Sequence, residues 1–217
     1  MPIIVTPLSS SATTPVGILL YNSIVASIYQ YSQRPDLVQE TLAAIRKATM
    51  KLHLADFWPN DSQSLQIVPV QISAGSVDYR YTIDTTQIAL LRKVTSIMEY
   101  NNPLTGAERF YTQKDIDRLL DDYKLEYINY WYQAGQQVNL RTDKLLTFVT
   151  VTGYFYPNVA PTSYNSWIAQ QYPDAIVEEA LVTIYKNIGK VEESNALARS
   201  FEENLHMIQM AQIGGAI

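Results

Sequence analysis

Two histidines, His53 and His206, are the sequence's whole supply of the side chain that enzymes use most often as a general acid or base. Neither has a second histidine four residues away, the spacing that places two metal ligands on one helix face. His53 falls near the end of a predicted helix, where a cation suits the helix dipole, and His206 falls in the last amphipathic helix. The spacing therefore favours a structural place for both.

Adjacent carboxylates are the next candidates for chemistry. Neighbouring residues in a helix point about 100° apart, so two such carboxylates do not converge on one bond. The pairs are Asp121/Asp122, Glu178/Glu179, Glu192/Glu193 and Glu202/Glu203, all on or at the ends of predicted helices. Phosphate loops of the G-x-G-x-x-G or G-x-x-x-x-G-K-[ST] type are absent, as is the G-x-S-x-G elbow. We expect solvated helix faces, no catalytic residues, no metal and no cofactor.

Composition narrows the function classes further. There is no cysteine, which excludes disulfides, zinc-thiolate sites and cysteine nucleophiles. A net charge of −5 argues against broad capture of nucleic acid, since phosphate neutralisation needs a cationic face. Neither a secretory signal nor an apolar run long enough for a membrane span is expected. The 16 tyrosines, against 5 phenylalanines, suit contact surfaces that stay partly exposed to water, because tyrosine combines an apolar ring with a polar hydroxyl.

The aromatic stretch YINYWYQAG, residues 127–135, predicts a strand with two aromatic faces. One face carries Tyr127, Asn129 and Trp131, the other Ile128, Tyr130 and Tyr132. Such a face could bind a sugar or stack bases, but base-stacking platforms come with a cationic groove and the only nearby bases are Lys124 and Arg141. Cross-strand packing or a subunit contact is therefore the favoured interpretation.

Tryptophans mark two predicted element boundaries. Trp58 lies in DFWPND and Trp167 in YNSWIAQQYP, each followed closely by a proline. A core role at the junction of helix and sheet is the first interpretation, and it does not exclude a role in an interface. The candidate interface anchors are Trp58, Trp131, Tyr154, Tyr156 and Trp167.

Apolar periodicity predicts helices at both ends of the chain. A short helix is expected over about 18–31, and a strong amphipathic helix begins after Pro35 and runs to His53. A helix over 166–190 is expected to break or begin at Tyr172-Pro173 and to end at Gly189. A last helix is expected over about 192–207, with Ala196, Phe201, Leu205 and Ile208 facing inward. Between them, Thr112 is the expected N-cap of one short helix.

Alternating and β-branched segments fill the middle of the chain. The expected strands are LQIVPVQIS, demoted to a sheet edge by Pro69, then VDYRYTID, IALLRKVTSIMEY, a hairpin turning near Gly135, and LLTFVTVTGYFYPN. We therefore expect an α+β fold in which N- and C-terminal helices form a bundle and residues from about 65 to 160 form an inserted, mostly antiparallel β-rich region. Residues 1–16 are an extended arm, 17–206 one domain, and 207–217 a flexible tail.

Four stretches together resemble the head-to-tail adaptor proteins of tailed bacteriophages, also called connector or head-completion proteins. They are RPDLVQETLAAIRKATMKLHLADFWPND, LLRKVTSIMEYN, the tyrosine-rich middle, and YNSWIAQQYPDAIVEEALVTIYKNIGKVEE. The likeness covers about residues 18–205 and includes no catalytic signature.

This resemblance implies a structural virion protein at the head-tail junction, made in the host cytoplasm and assembled as a ring, commonly a dodecamer. Its expected partners are the portal ring, a tail tube or nozzle protein and further copies of itself. DNA would pass through its channel without sequence-specific binding, and no membrane would be involved. The family's C-terminal segment often docks on the portal, which implies docking through Met207, Ile208, Met210, Ile213 and Ile217.

Two alternatives stay open on the sequence. The chain could be another tail or baseplate subunit that does not touch the portal. It could also be a carbohydrate-binding module that uses the aromatic strand around Trp131.

Overall fold

A computed structural model describes residues 6–7, 14–74, 78–99, 109–115 and 129–214. This part of the chain divides into two compact units. One unit contains Ser62–Phe155 with a strand from the N-terminal arm, and the other contains residues 11–61 and 156–217. Each unit has its own apolar cluster.

The described residues of the first unit form a curled sheet of nine strands. In chain order these are β1 (Thr6–Pro7), β2 (Ser62–Ile67), β3 (Val70–Ala74), β4 (Tyr79–Asp84), β5 (Leu91–Glu99), β6 (Arg109–Gln113), β7 (Tyr130–Ala134), β8 (Gln137–Thr142) and β9 (Val149–Phe155). Their order across the sheet is β1-β2-β9-β5-β6-β7-β8-β4-β3. Every neighbouring pair is antiparallel except β6 and β7, which run parallel. Gly135, with φ +59°, makes the predicted turn between β7 and β8.

Alternation along the strands gives the sheet its buried face. Tyr81 on β4 lies opposite Leu140 on β8, which lies opposite Trp131 on β7. All three are buried, because side chains paired across antiparallel strands project on the same side. The described strands thus bury an apolar cluster of their own.

The second unit is helical. Its helices are α1 (Thr14–Ser32), α2 (Val38–Leu54), α3 (Trp167–Gln171), α4 (Pro173–Asn187) and α5 (Val191–Gly214). Helices from both ends of the chain share one core, with Ile28, Ile45 and Ile176 fully buried in it. Pro173 occupies the first turn of α4, where its missing N–H costs no hydrogen bond. The expected break at Tyr172-Pro173 is therefore the boundary between α3 and α4.

Gly189 ends α4 as predicted. Its φ is +81°, and the Lys190 N–H donates to the Tyr185 carbonyl at 2.9 Å. This pair of features is the Schellman arrangement, in which a left-handed residue lets the chain turn back on the last carbonyls. The sharp stop places α5 against α4.

The predicted fold class is wrong. The chain is a mixed α/β protein whose strands dominate the core, and it is not a helical bundle carrying a β-rich insertion. The reason is that residues 62–155 bury a cluster of their own, built on residues such as Ile67, Ile97 and Val149. Apolar periodicity predicts where strands and helices lie, but it does not predict which of them form the main apolar core.

Three local expectations also change. Thr112 lies in strand β6, and residues 116–127 of the helix that it was expected to cap lie outside the described residues. The predicted strand LQIVPVQIS is two strands, divided at Val68-Pro69, of which β3 forms an edge of the sheet. The predicted arm contributes β1, and helix α1 begins at Thr14.

Candidate functional site

A serine, a histidine and an aspartate form a hydrogen-bonded chain inside the helical unit. His53 lies in the last turn of α2, Asp61 ends a 3-10 turn, and Ser166 precedes α3. The His53 Nδ1 lies 2.8 and 2.9 Å from the two Asp61 carboxylate oxygens, and Nε2 lies 2.9 Å from the Ser166 Oγ. A carboxylate accepts, so Nδ1–H donates and leaves Nε2 of a neutral ring to accept the serine O–H. This is the order of groups in serine hydrolases.

The hydrogen-bonded residues His53, Asp61 and Ser166 are sealed from solvent, which favours a structural role for them. Ser166 and His53 are each 1% exposed and Asp61 is 4% exposed. The Ser166 Oγ accepts the Ala169 N–H at 3.1 Å as the N-cap of α3, and the Trp167 Nε1–H donates to Asp61 at 2.8 Å. Each polar group therefore ties one segment to another, and a substrate would have to displace the packing to reach the serine.

Two of the predicted anchors, Trp58 and Trp167, pack beside this chain. Trp58 is 2% exposed, and its Nε1–H donates to the Leu52 carbonyl at 2.9 Å. Its ring meets Trp167 edge to face at a centroid distance of 5.8 Å, a favoured aromatic geometry. Trp58 is thus a core residue, whereas Trp167 keeps part of its ring at the surface.

A second buried polar contact joins α2 to the segment before α3. The Thr49 and Tyr164 hydroxyls lie 2.7 Å apart, and the Tyr164 ring meets Tyr21 of α1 edge to face. Burial raises the pKa of Tyr164 to about 12, although its hydrogen bond to Thr49 acts in the opposite direction. A Cβ on Gly17 would collide with the Tyr164 carbonyl oxygen, so glycine is required there.

A buried acid joins three helices of the same unit. Glu179 of α4 is buried, and its Oε2 lies 2.7 Å from the Nζ of Lys51 on α2. That ammonium also lies 4.5 Å from the ring centroid of Phe201 on α5. The Lys51 ammonium thus forms both an ion pair with Glu179 and a cation–π contact with Phe201.

The predicted anchors that belong to strands differ in exposure. Trp131 is 1% exposed and lies in the core of the sheet, so it is not part of a free aromatic face. Tyr154 on β9 and Tyr156 just after it are half-buried. Tyr127, on the face predicted with Trp131, lies outside the described residues. The opposite face of β7 brings the Tyr130 and Tyr132 rings to a centroid distance of 6.4 Å.

The predicted docking tail is helical as far as Gly214, since α5 continues through it. Met207 and Met210 are 59% and 57% exposed, whereas Ile208 is 1% exposed and belongs to the helical core. The side chain of Ile213 and all of Ile217 lie outside the described residues. The tail therefore places two methionines, three residues apart, on the outer side of a helix that Ile208 fixes to its unit.

An exposed sheet edge is the feature that sequence reasoning indicated least clearly. All five residues of β3 are exposed, including Val70 at 51% and Ile72 at 60%. In this part of the structure β3 pairs only with β4, so one row of its backbone groups has no strand partner. Pro69 was the one signal of an edge in the sequence.

No metal or membrane feature emerges in the described ranges. They contain no group of three or more His, Asp or Glu residues arranged to hold a metal ion. None of the helices described there combines the length and apolarity that crossing a membrane requires.

Comparisons with known proteins leave the family of this chain open. No protein-family model matches the sequence, and no curated protein matches it either.

Proposed function

We propose that this chain is a structural subunit of a tailed-bacteriophage virion, a head-to-tail adaptor. Copies of it form a ring, dodecameric as the family resemblance implies, that joins the portal to the tail. The genome passes through the channel of this ring without sequence-specific binding. The support is the resemblance carried by the two boundary segments around Trp58 and Trp167, together with the exposed surfaces described above.

The observation that carries the proposal is the exposed methionine pair at the end of α5. Met207 and Met210 are both more than half exposed, and unbranched thioether side chains adapt to irregular partner surfaces. Ile208 between them is buried, so the helix is held against its own unit while the methionines point outwards. A fixed helix end with an adaptable apolar face suits docking on the portal ring.

The β3 edge suits the contacts that a ring requires. A ring is built from heterologous contacts, in which one surface meets a different surface of the next copy. An exposed edge strand can accept a strand from a neighbour through main-chain hydrogen bonds, with Val70 and Ile72 giving apolar contacts. A net charge of −5 is compatible with DNA passage, because an acidic lumen repels phosphate.

Point substitution tests this docking better than deletion of the tail. Removing residues 207–217 would also remove Ile208 from the core, so lost binding would not separate docking from misfolding. The double variant Met207→Asp/Met210→Asp keeps Ile208. Its matched control is Val191→Asp, an apolar position on the same helix that is 58% exposed.

The assay is co-sedimentation with the ring formed by the portal protein of the same phage genome. We expect wild type and Val191→Asp to sediment with the ring and Met207→Asp/Met210→Asp to stay in the supernatant with an unchanged circular dichroism spectrum. Equal binding by all three would refute docking through the methionines. Absence of wild-type binding would refute the adaptor function and favour a tail or baseplate subunit.

A further inference from the structure

A pocket of about 410 Å³ lies between α4 and α5, beside the end of α1. Val177 and Leu181 of α4, each 3% exposed, and the half-buried Leu197 of α5 give it an apolar floor. Residues 174, 177, 178 and 181 follow helical spacing, so they lie on one face of α4. The pocket is therefore a defined groove between two packed helices.

A carboxylate in this pocket is held in one orientation. The Ser200 hydroxyl donates to the Glu178 Oε1 at 3.0 Å, and the Asn204 Nδ2 donates to Oε2 at 2.7 Å. Both donors are neutral, so they orient the carboxylate without neutralising it. A carboxylate accepts about four hydrogen bonds, and each oxygen of Glu178 keeps capacity for a further donor.

The pocket carries negative charge with no matching cation in its described lining. Asp174 lies one helical turn before Glu178, a spacing at which like charges repel. None of the described lining side chains is basic. Tyr31, 61% exposed, lines the same pocket, and the face of an aromatic ring attracts cations. Two acids, an apolar floor and an aromatic ring are complementary to a cationic group on an apolar stem.

We infer that this pocket receives an arginine side chain presented by a partner protein. The three methylenes of arginine match the floor of Val177, Leu181 and Leu197. Its planar guanidinium forms paired hydrogen bonds with a fixed carboxylate and stacks on an aromatic ring, neither of which lysine does as well. Glu178 is the acceptor that fixes register, and Asp174 adds charge at the exposed end of the pocket.

Titration of the full-length protein with n-butylguanidinium, followed by NMR of backbone amides, tests the chemistry of the pocket. We expect saturable shifts for amides of α4 and α5 that line it, and no saturable shift with the neutral isostere N-butylurea. The variant Asp174→Asn/Glu178→Gln should bind n-butylguanidinium at least tenfold more weakly. The control Glu192→Gln/Glu193→Gln removes the same charge at exposed positions and should bind as wild type does.

Two results would overturn the inference about the pocket. One is an equal response to N-butylurea. The other is unchanged affinity for n-butylguanidinium in Asp174→Asn/Glu178→Gln, with an amide spectrum showing that the variant is folded.

The identity of the partner rests on the proposed function and is tested separately. We expect the portal ring to bind Asp174→Asn/Glu178→Gln at least fivefold more weakly than it binds the control. Loss of self-association of that variant in sedimentation velocity, without portal, would instead place the arginine on a second copy and overturn the assignment to a different protein. Failure of the portal ring to bind wild type contradicts the proposed function, while the n-butylguanidinium titration still decides the chemistry of the pocket.

Discussion

Replacing Asp61 with alanine leaves two donors without an acceptor, the buried His53 Nδ1–H and the half-buried Trp167 Nε1–H. His53 is 1% exposed, so water does not take the place of the carboxylate without rearranging the packing. Each unsatisfied buried donor costs about 1–3 kcal/mol. The half-buried Trp167 donor adds the lower end of this range, so we expect the free energy of unfolding of the helical unit to fall by about 2–4 kcal/mol in all.

Hydrogen exchange followed by mass spectrometry measures this loss in the helical unit alone. A loss of about 2–4 kcal/mol corresponds to a roughly 30- to 700-fold fall in protection, because about 1.4 kcal/mol is tenfold. The fall should appear in peptides from α2 and α4. Asp36→Ala is the control, since Asp36 pairs with Arg34 at the surface, where solvent screens the interaction and little stability depends on it. If hydrogen-exchange protection of these peptides in Asp61→Ala stayed within threefold of wild type, the structural role of the buried His53–Asp61–Ser166 hydrogen bonds would be refuted.

Three further predictions concern single contacts. Gly17→Ala should lower the thermal midpoint, with an overpacking cost of about 1–3 kcal/mol, because its methyl group meets the Tyr164 carbonyl oxygen; a midpoint equal to wild type would contradict the close approach. Burial raises the pKa of Tyr164 from 10.0 to about 12. The protonated hydroxyl therefore contributes fully to the free energy of unfolding below pH 10, and this contribution is lost between pH 10 and 12. Protection of α2 peptides should therefore fall across that range by about 2–3 kcal/mol, and the fall should shrink in Tyr164→Phe. The Arg141 guanidinium holds the pKa of Asp78 below its usual 3.8, so this pair stabilises the sheet above that pH and loses its effect as pH falls through the lowered pKa. Thermal midpoints measured from pH 5 to pH 2 should fall less steeply in Arg141→Met, and identical curves would count against the pair.

Local chemistry made part of this structure predictable. The apolar stripe of α2, the turn at Gly135 and the stop at Gly189 each follow from residues within a few positions of one another. Pro69 likewise indicated a sheet edge, because proline lacks the N–H that a central strand needs.

Long-range pairing was the part that the sequence did not reveal. His53 and Ser166 are 113 residues apart, and no spacing rule connects them. Ser166 stood at the start of a predicted helix, and that position indicates no contact with a histidine. For Trp131 the sequence left cross-strand packing and a subunit contact both open, since alternation separates the two faces of a strand without indicating which face the sheet buries.

The last helix is longer than the sequence pattern predicts. The glycines near the C-terminus suggested a flexible tail, yet α5 runs to Gly214. Ile208 explains the difference, because its burial adds tertiary packing that outweighs weak local helix propensity. Ile208 was predicted both to face inward from the last helix and to dock on a partner, and its burial agrees with the first of these predictions.

Electron microscopy of the portal ring mixed with this protein tests the proposed coupling most directly. We predict a second ring of density stacked coaxially on the portal for wild type and for Val191→Asp, and bare portal rings for Met207→Asp/Met210→Asp. Bare portal rings in the presence of folded wild-type protein would contradict the account.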